Sequence, residues 1–426
     1  MSFIRHQRLF LLILLLAVFN VLIGCEDDDD AGSSSEQPQD DDNNDNDSGD
    51  DDNDDGDDDN DSGDDDNDSG DDDNDSGDDD NDSSDDDSID DDDDSESPFN
   101  GMSWSITTLY ETSNTAYDPV LGVGSDGVVH IVYLDHAAHL IHLKKTGSEW
   151  QQNLLNDQES LGQPSLAIEN PGIPRLAYSV GDAMVYGIEN ESSYSESTIP
   201  GVHCDYYALA VDILGNAYLA CASDDSSFLR LVTNGSGEWQ EEEIYPQTGI
   251  YQMAIRLDQD ANTHLAFVSF ENSGVTPYSS AYYVHNVNGN WIGGVIGGNR
   301  CWVFKSIDLA VSPDQLLHFS YSVGECELGS VFVSYDGQRI VYDFPTNFRV
   351  GSSMNLDGAG TPYIGFFLGN DTQLNIATIT DGHVYTGIID DSLGPYRKPS
   401  LAVDSEGYIH VAYTFLADLR YATNRP

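Results

Sequence analysis

Positive charge is what this chain has least of. Lys and Arg number 15 among 426 residues, against 78 Asp and Glu, for a formal net charge of -63. Nucleic-acid binding requires clustered basic side chains on the phosphates, so that class of partner is excluded. The acidity is also uneven. Residues 26–97 hold 41 of the acids and no Lys or Arg, whereas residues 98–426 set 37 acids against 13 basic residues. The C-terminal part is therefore only moderately acidic.

Other absences narrow the field further. After residue 25 no segment approaches the ~20 apolar residues that a spanning helix needs. The cysteines include no CxxC pair, which argues against a zinc site. Neither a GxSxG elbow, an HExxH helix nor a phosphate loop occurs. Residues 26–97 lack aromatics and hold one β-branched apolar residue, Ile89. Nothing there can offset the entropy of ordering a chain, so that stretch is expected to be unfolded.

What is present begins with the leader, MSFIRHQRLFLLILLLAVFNVLIGC. Arg5 and Arg8 precede an apolar run that ends in small and apolar residues, the pattern of a secretion signal over residues 1–24. Its ending, Leu22-Ile23-Gly24-Cys25, resembles a bacterial lipobox, which implies lipidation of Cys25. The competing reading is an ordinary transmembrane anchor. The run Glu26-Asp27-Asp28-Asp29-Asp30 that follows resembles the export signal of bacterial surface lipoproteins. Together these imply attachment to the outer membrane of a bacterial envelope, facing outward, with the periplasmic face as the alternative.

Residues 25–97 then form an Asp/Asn/Ser/Gly-rich linker with a heptad, DDDNDSG, marked by Gly49, Gly56, Gly63, Gly70 and Gly77. Asp65, Asn67, Ser69 and Gly70 match the opening of an EF-hand loop, but Ser76 stands where the bidentate Glu belongs. Weak calcium association with this linker is the one cofactor expectation. Like charges extend such a segment, whose reach is at most roughly 240 Å.

Residues 98–426 repeat. Aligned on His130, Arg175, Tyr218, His264, His318, Tyr363 and His410, each unit starts a β run at that marker. Six residues earlier stands Gly124, Glu169, Asp212, Asp258, Ser312, Asp357 or Asp404. Three residues earlier Gly127, Gly172, Gly215, Gly360 and Gly407 supply turn freedom, while Ala261 and Gln315 depart from glycine and predict turns of a different shape. Four short strands fit each unit, the fourth opening on an aromatic (Trp150, Tyr194, Trp239, Trp291).

The seventh unit ends one strand early, at LRYAT, while Ser103–Leu109 carries a fourth-strand signature, Trp104 first, with no unit of its own. The expectation is an all-β, seven-bladed β-propeller of four-stranded antiparallel blades, closed by residues 103–109 joining the last blade; an open β solenoid is the alternative. ALAVDILGNAYLA (208–220) and SLAVDSEGYIHVAY (400–413) resemble bacterial propeller repeats of the NHL and related AVDxxGNxYV kind. That resemblance implies fold far more than activity.

In units 3 and 5 one Cys precedes the first strand and another follows the core of the second. Those places oppose each other in a hairpin, predicting Cys204–Cys221 and Cys301–Cys326, although four cysteines allow three pairings. Asp135, His136, His139 and His142 lie close enough in sequence to supply metal ligands, if the turn brings them together. The competing reading is an exposed polar hairpin. Turns between second and third strands share one face of a propeller, and Asp135, Asp182, Asp224, Asp225, Glu271, Glu325, Asp371 and Asp418 could rim it, suiting a cation or basic partner. As ordinary turn residues they would need no such role.

The marker histidines are expected to be structural, bonded to the turn carboxylates. The leading functional expectation is non-catalytic recognition of an extracellular protein or glycan by a membrane-tethered propeller. The alternative is a propeller hydrolase or lyase acting on polysaccharide. No catalytic residue is singled out.

Overall fold

The computed structural model describes residues 97–426 apart from 111–118, 159–161, 191–192, 224–226, 273–276, 300–302, 325–328, 336–338, 345–350, 368–372 and 393–397. The signal segment, Cys25 and the acidic linker lie outside the described residues. Among those described, 28 strands form seven four-stranded antiparallel sheets, with no helix. Unit 1 shows the pattern: Val120–Val123, Val129–Leu134, Leu140–Thr146 and Glu149–Asn156 pair in sequence order. Units 2 to 6 repeat it, beginning at Ser165–Glu169, Tyr206–Val211, Ile250–Leu257, Val303–Val311 and Ser352–Leu356.

The seventh sheet is assembled from both ends of the chain. Ser400–Val403, Ile409–Phe415 and Asp418–Thr423 supply three strands, and Ser105–Tyr110 lies outermost. Its register runs from Ser105 opposite Thr423 to Thr108 opposite Arg420. The displaced fourth strand is where the sequence places it.

Burial explains the strand composition. All six residues of Val129–Leu134 and all seven of Ile409–Phe415 are buried, because these strands sit mid-sheet with neighbours on both faces. Alternation therefore gives way to continuous apolar runs. Outer strands are mostly exposed, and Gln240–Glu243 places three consecutive carboxylates on one such edge, which opposes edge-to-edge pairing.

The apolar residues collect between sheets rather than within them. One cluster joins Leu121, Ile131, Tyr133 and Leu143 of unit 1 to Ala402, Ala412, Leu419 and Tyr421 of unit 7. Another joins Phe367, Leu374 and Ile376 of unit 6 to Leu401, Val411 and Tyr413 of unit 7, with Phe99 and Trp104 packed on it. The other clusters likewise bridge consecutive units. First strands touch first strands in a closed cycle, Val120–Val123 lying against both Ser165–Glu169 and Ser400–Val403. This is an all-β propeller of four-stranded antiparallel blades.

A side-chain oxygen reinforces that inner cycle wherever the repeat provides one. Ten residues before the marker stand Ser165, Asp308, Ser353 and Ser400. Each accepts a backbone N–H from the next unit's first strand: Leu209 at 2.9 Å, Met354 at 3.0 Å, Leu401 at 3.1 Å and Leu121 at 2.8 Å. These donors belong to first strands, each at the edge of its sheet with no further strand to pair with.

The turns between first and second strands correct one expectation. Ala261 and Gln315 do not alter their turns. They adopt the left-handed φ of Gly215 and Gly407, at 59° and 69°, and donate N–H to Asp258 O and Ser312 O as those glycines do to Asp212 and Asp404. The side chain six residues before the marker governs the shape. Asp212, Asp258, Asp357 and Asp404 each accept two backbone N–H groups through Oδ1. These bonds hold a non-glycine residue where its Cβ is strained. The unit that departs is the second, whose turn has three residues, 170–172, and a cis Asn170–Pro171 bond.

Because Ala261 and Gln315 are exposed, replacing either by Gly removes strain and little else. Each substitution should stabilise by about 0.5–1 kcal/mol, read from urea midpoints at unchanged slope.

Candidate functional site

The marker side chains form inter-sheet relays. His410 Nε2 lies 3.1 Å from Asp404 Oδ2, and its Nδ1 2.6 Å from the Tyr421 hydroxyl. His264 repeats this with Asp258 at 3.4 Å and Tyr283 at 2.6 Å. Arg175 forks onto Glu169. In unit 1 the tyrosine's place is taken by His142, whose Nε2 meets His130 Nδ1 at 3.0 Å. The carboxylate's place is Gly124, where an added Cβ would fall 2.7 Å from Gly172 Cα in the neighbouring turn. Unit 1 therefore has no carboxylate at that position, and His130 Nε2 is buried without a hydrogen-bond partner.

Each relay ends on the next unit. Trp150 packs edge-on against Tyr421 at 5.1 Å, Tyr194 against His142 at 5.4 Å, and Trp239 against Tyr186 at 5.2 Å. Tyr194 also places its hydroxyl 3.1 Å from His142 Nδ1. Trp291 and Trp104 join the clusters containing Leu231 and Ile376, which stand at the same third-strand position. The aromatic that opens each fourth strand thus keys onto the preceding sheet.

Burial leaves these imidazoles neutral. It is the main cause pushing His130 down to about 4 and His142 to about 3, with nearby Lys144 adding to both. His285 falls to about 4, first by burial and then by His264. His264, His318 and His410 are lowered too, burial outweighing the adjacent carboxylates.

The metal expectation is not met. His142 lies on a third strand with both ring nitrogens engaged inside the protein. Asp135 accepts from Ala137 N, His139 N and His139 Nδ1 at 2.9, 2.9 and 3.1 Å. Its turn copies those that precede the markers, down to a left-handed residue, Ala138, at φ 61°. His136 points into solvent from that turn's exposed tip. No group of three or more His, Cys, Asp or Glu able to hold a metal occurs among the described residues.

Of the eight residues of the expected acidic rim, four lie among those described. Asp135 is buried in its turn, and Asp418 and Glu271 belong to strands rather than loops. Asp182 is exposed at a two-residue turn, its carbonyl accepting from His203 Nδ1 at 3.3 Å. Asp224, Asp225, Glu325 and Asp371 lie outside the described residues. Cys204 and Cys221 form the expected disulfide, with Cα atoms 5.4 Å apart. Cys301 and Cys326 also lie outside the described residues.

Sequence reasoning missed one convergence. Asp390, where unit 6 ends, accepts from the Tyr413 hydroxyl at 2.6 Å and from Arg420 at 2.9 Å. Arg420 also reaches Ser392 at 3.2 Å and stacks 3.8 Å over Phe415. Burial and the carboxylate drive the tyrosine's pKa strongly upward. The group draws on three strands and a loop, so no local spacing announces it.

The two ends of the propeller differ. Turns between first and second strands span five residues in every unit but the second, and they meet one another. Ser125 donates to Asn170 and Pro171, Gln259 to Pro313, and Gly360 abuts Ser312. At the other end, turns between second and third strands vary from two residues (181–182) to six (368–373).

No protein family matches the chain, and no curated protein matches it in sequence. Solved structures do. An ulvan lyase, described as a polysaccharide lyase of family PL25, aligns with TM-score 0.55 at 11% identity, covering 74% of this chain and 95% of that one. Hydrazine synthase of Kuenenia stuttgartiensis aligns at 0.49 and 12% identity, covering 73% and 98%. AofleA from Arthrobotrys oligospora aligns at 0.48 and 12%, covering 76% and 86%. Identities this low speak to fold alone, and the fold that this chain shares with the ulvan lyase is the four-stranded, antiparallel propeller.

Proposed function

We propose that the protein is an exported recognition module: lipidated on Cys25, tethered to the outer membrane by the acidic linker, and facing outward. Its ring of seven blades binds an extracellular glycan or protein without turning it over. Binding uses the face that carries the turns between second and third strands and the connections between units. The observation that carries this reading is the asymmetry of the two ends. One is built of turns that match in length in every unit but the second, several of them touching a neighbour. The other varies in length from unit to unit on a rigid support, as recognition surfaces do. The marker histidines and the tyrosines they bond are spent on joining the blades.

A second reading, a polysaccharide lyase, is favoured by one observation: Tyr413, Asp390 and Arg420 meet near that variable end, on a fold shared with a lyase. A lyase needs a base near the working pH and a cation on the substrate acid. Here the tyrosine is buried, donates to Asp390 and titrates far above neutrality. The geometry therefore favours binding.

The test is an array of glycans and envelope proteins probed with the unlipidated Cys25→Ser chain. Saturable binding is expected. It should be lost when the five-residue turn 135–139 is exchanged for the two-residue turn Leu416-Ala417, with the melting curve retained. Binding that survives this and every similar exchange on that face would overturn the assignment.

A further inference from the structure

The join between the first and last units holds a cleft of about 550 Å³, within the range of roughly 300–1,000 Å³ typical of small-molecule sites. It lies at the end of uniform turns, opposite the face assigned above, and does not depend on that assignment. Asp126, Lys145 and Ser148 of unit 1 line it, with Asp404, Glu406 and Arg425 from unit 7.

Lys145 occupies a position that varies between units. Units 3, 4 and 7 carry Asn234, Asn286 and Asn424 at this third-strand position. Each asparagine oxygen accepts the N–H that opens the second strand (Ala217, Thr263, Ile409) at 2.7 Å. In unit 1 the same pair is Val129 and Lys145, so a cation stands where those three units place an amide. The ammonium lies 4.8 Å above Tyr421 and 5.9 Å above Trp150. Burial, followed by Arg425, lowers its pKa. No carboxylate among the described residues forms an ion pair with it. Arg425, by contrast, is already answered by Asp404 at 3.2 Å and Glu406 at 3.1 Å.

The cleft thus offers one cation without a carboxylate partner, its ammonium resting over the Tyr421 and Trp150 rings beneath it, beside carboxylate and hydroxyl acceptors. We propose that it binds a sugar unit carrying one negative charge, a uronate or a sulfated hexose of an acidic glycan. The anion meets Lys145, and the sugar hydroxyls donate to Asp126, Glu406 and Ser148. A simple anion would bring no hydroxyl donors to offset its repulsion by the carboxylates, and a neutral sugar would leave the ammonium unanswered. Only the combination satisfies both.

Titration calorimetry on the full chain tests this with three probes: trigalacturonate, a 6-sulfated galactose trisaccharide and neutral galactotriose. Saturable binding of at least one anionic probe is expected, with neutral galactotriose at least tenfold weaker. Lys145→Asn, which restores the residue of units 3, 4 and 7, should weaken binding at least tenfold without lowering the melting temperature. Exchanging turn 135–139 should leave this binding intact, which separates it from the loop-face function. Which anionic probe binds tells carboxylate from sulfate. Binding of neither, equal binding of the neutral probe, or binding indifferent to Lys145→Asn in a folded variant overturns the proposal.

Discussion

Deleting Ser103–Leu109 should lower the melting temperature by on the order of 10 °C or abolish cooperative unfolding. The segment does two things at once. It pairs with Asp418–Thr423 along four positions, Ser105 to Thr108, covering what would otherwise be an open edge. It also delivers Trp104 to the cluster between units 6 and 7. Trp104 is half-buried, so its truncation alone costs roughly 3 kcal/mol, the low end of the range for core aromatics, and the lost strand adds to it. At about 2 °C per kcal/mol for a domain of this size, the expected shift follows. Trp104→Ala should show about half the effect, because the strand remains. An unchanged melt in the deletion would mean that the ring does not depend on this closure.

Acidification should unfold the protein earlier than its carboxylates alone would. His130, His142 and His285 titrate at about 4, 3 and 4 when folded, against 6.5 in the open chain, while His264, His318 and His410 are shifted the same way. Between pH 6.5 and about 4 the unfolded state binds protons that the folded state refuses. Stability therefore falls as pH falls through that window and is flat above it. Each unit of separation is worth about 1.4 kcal/mol, so several residues together amount to several kcal/mol.

His142→Tyr supplies the hydroxyl that Tyr283 and Tyr421 supply in units 4 and 7. It should match the wild type at pH 8 and shift the acid midpoint downward. Denaturant melts across pH 4–8 decide this. A flat profile, or an identical midpoint in the variant, would show that these imidazoles are not held neutral by burial.

Much of the fold could be read because the repeat is local. The turn carboxylates, the fourth-strand aromatics and the displaced strand at Trp104 each recur at fixed spacing, and the Cys204–Cys221 pair follows from hairpin register. Ala261 and Gln315 misled because residue type was weighed above the Asp258 and Ser312 side chains that hold those turns. The metal expectation at His136, His139 and His142 failed on a detail that spacing hides. His142 falls on a strand, where its ring joins a neighbouring unit, while Asp135 closes its own turn. Asp390, Tyr413 and Arg420 were invisible because their meeting depends on how unit 6 docks against unit 7. The place of Lys145 depends on register: it stands where Asn234, Asn286 and Asn424 bond the second strand in units 3, 4 and 7, which spacing alone does not show.

The central claim is that the propeller recognises and does not cleave. Incubating the full chain with the polysaccharide it retains, and measuring new reducing and unsaturated ends, tests it most directly. The account predicts retention with no new ends at any enzyme-to-glycan ratio. Ends that accumulate with time, and that vanish in Tyr413→Phe, would contradict it.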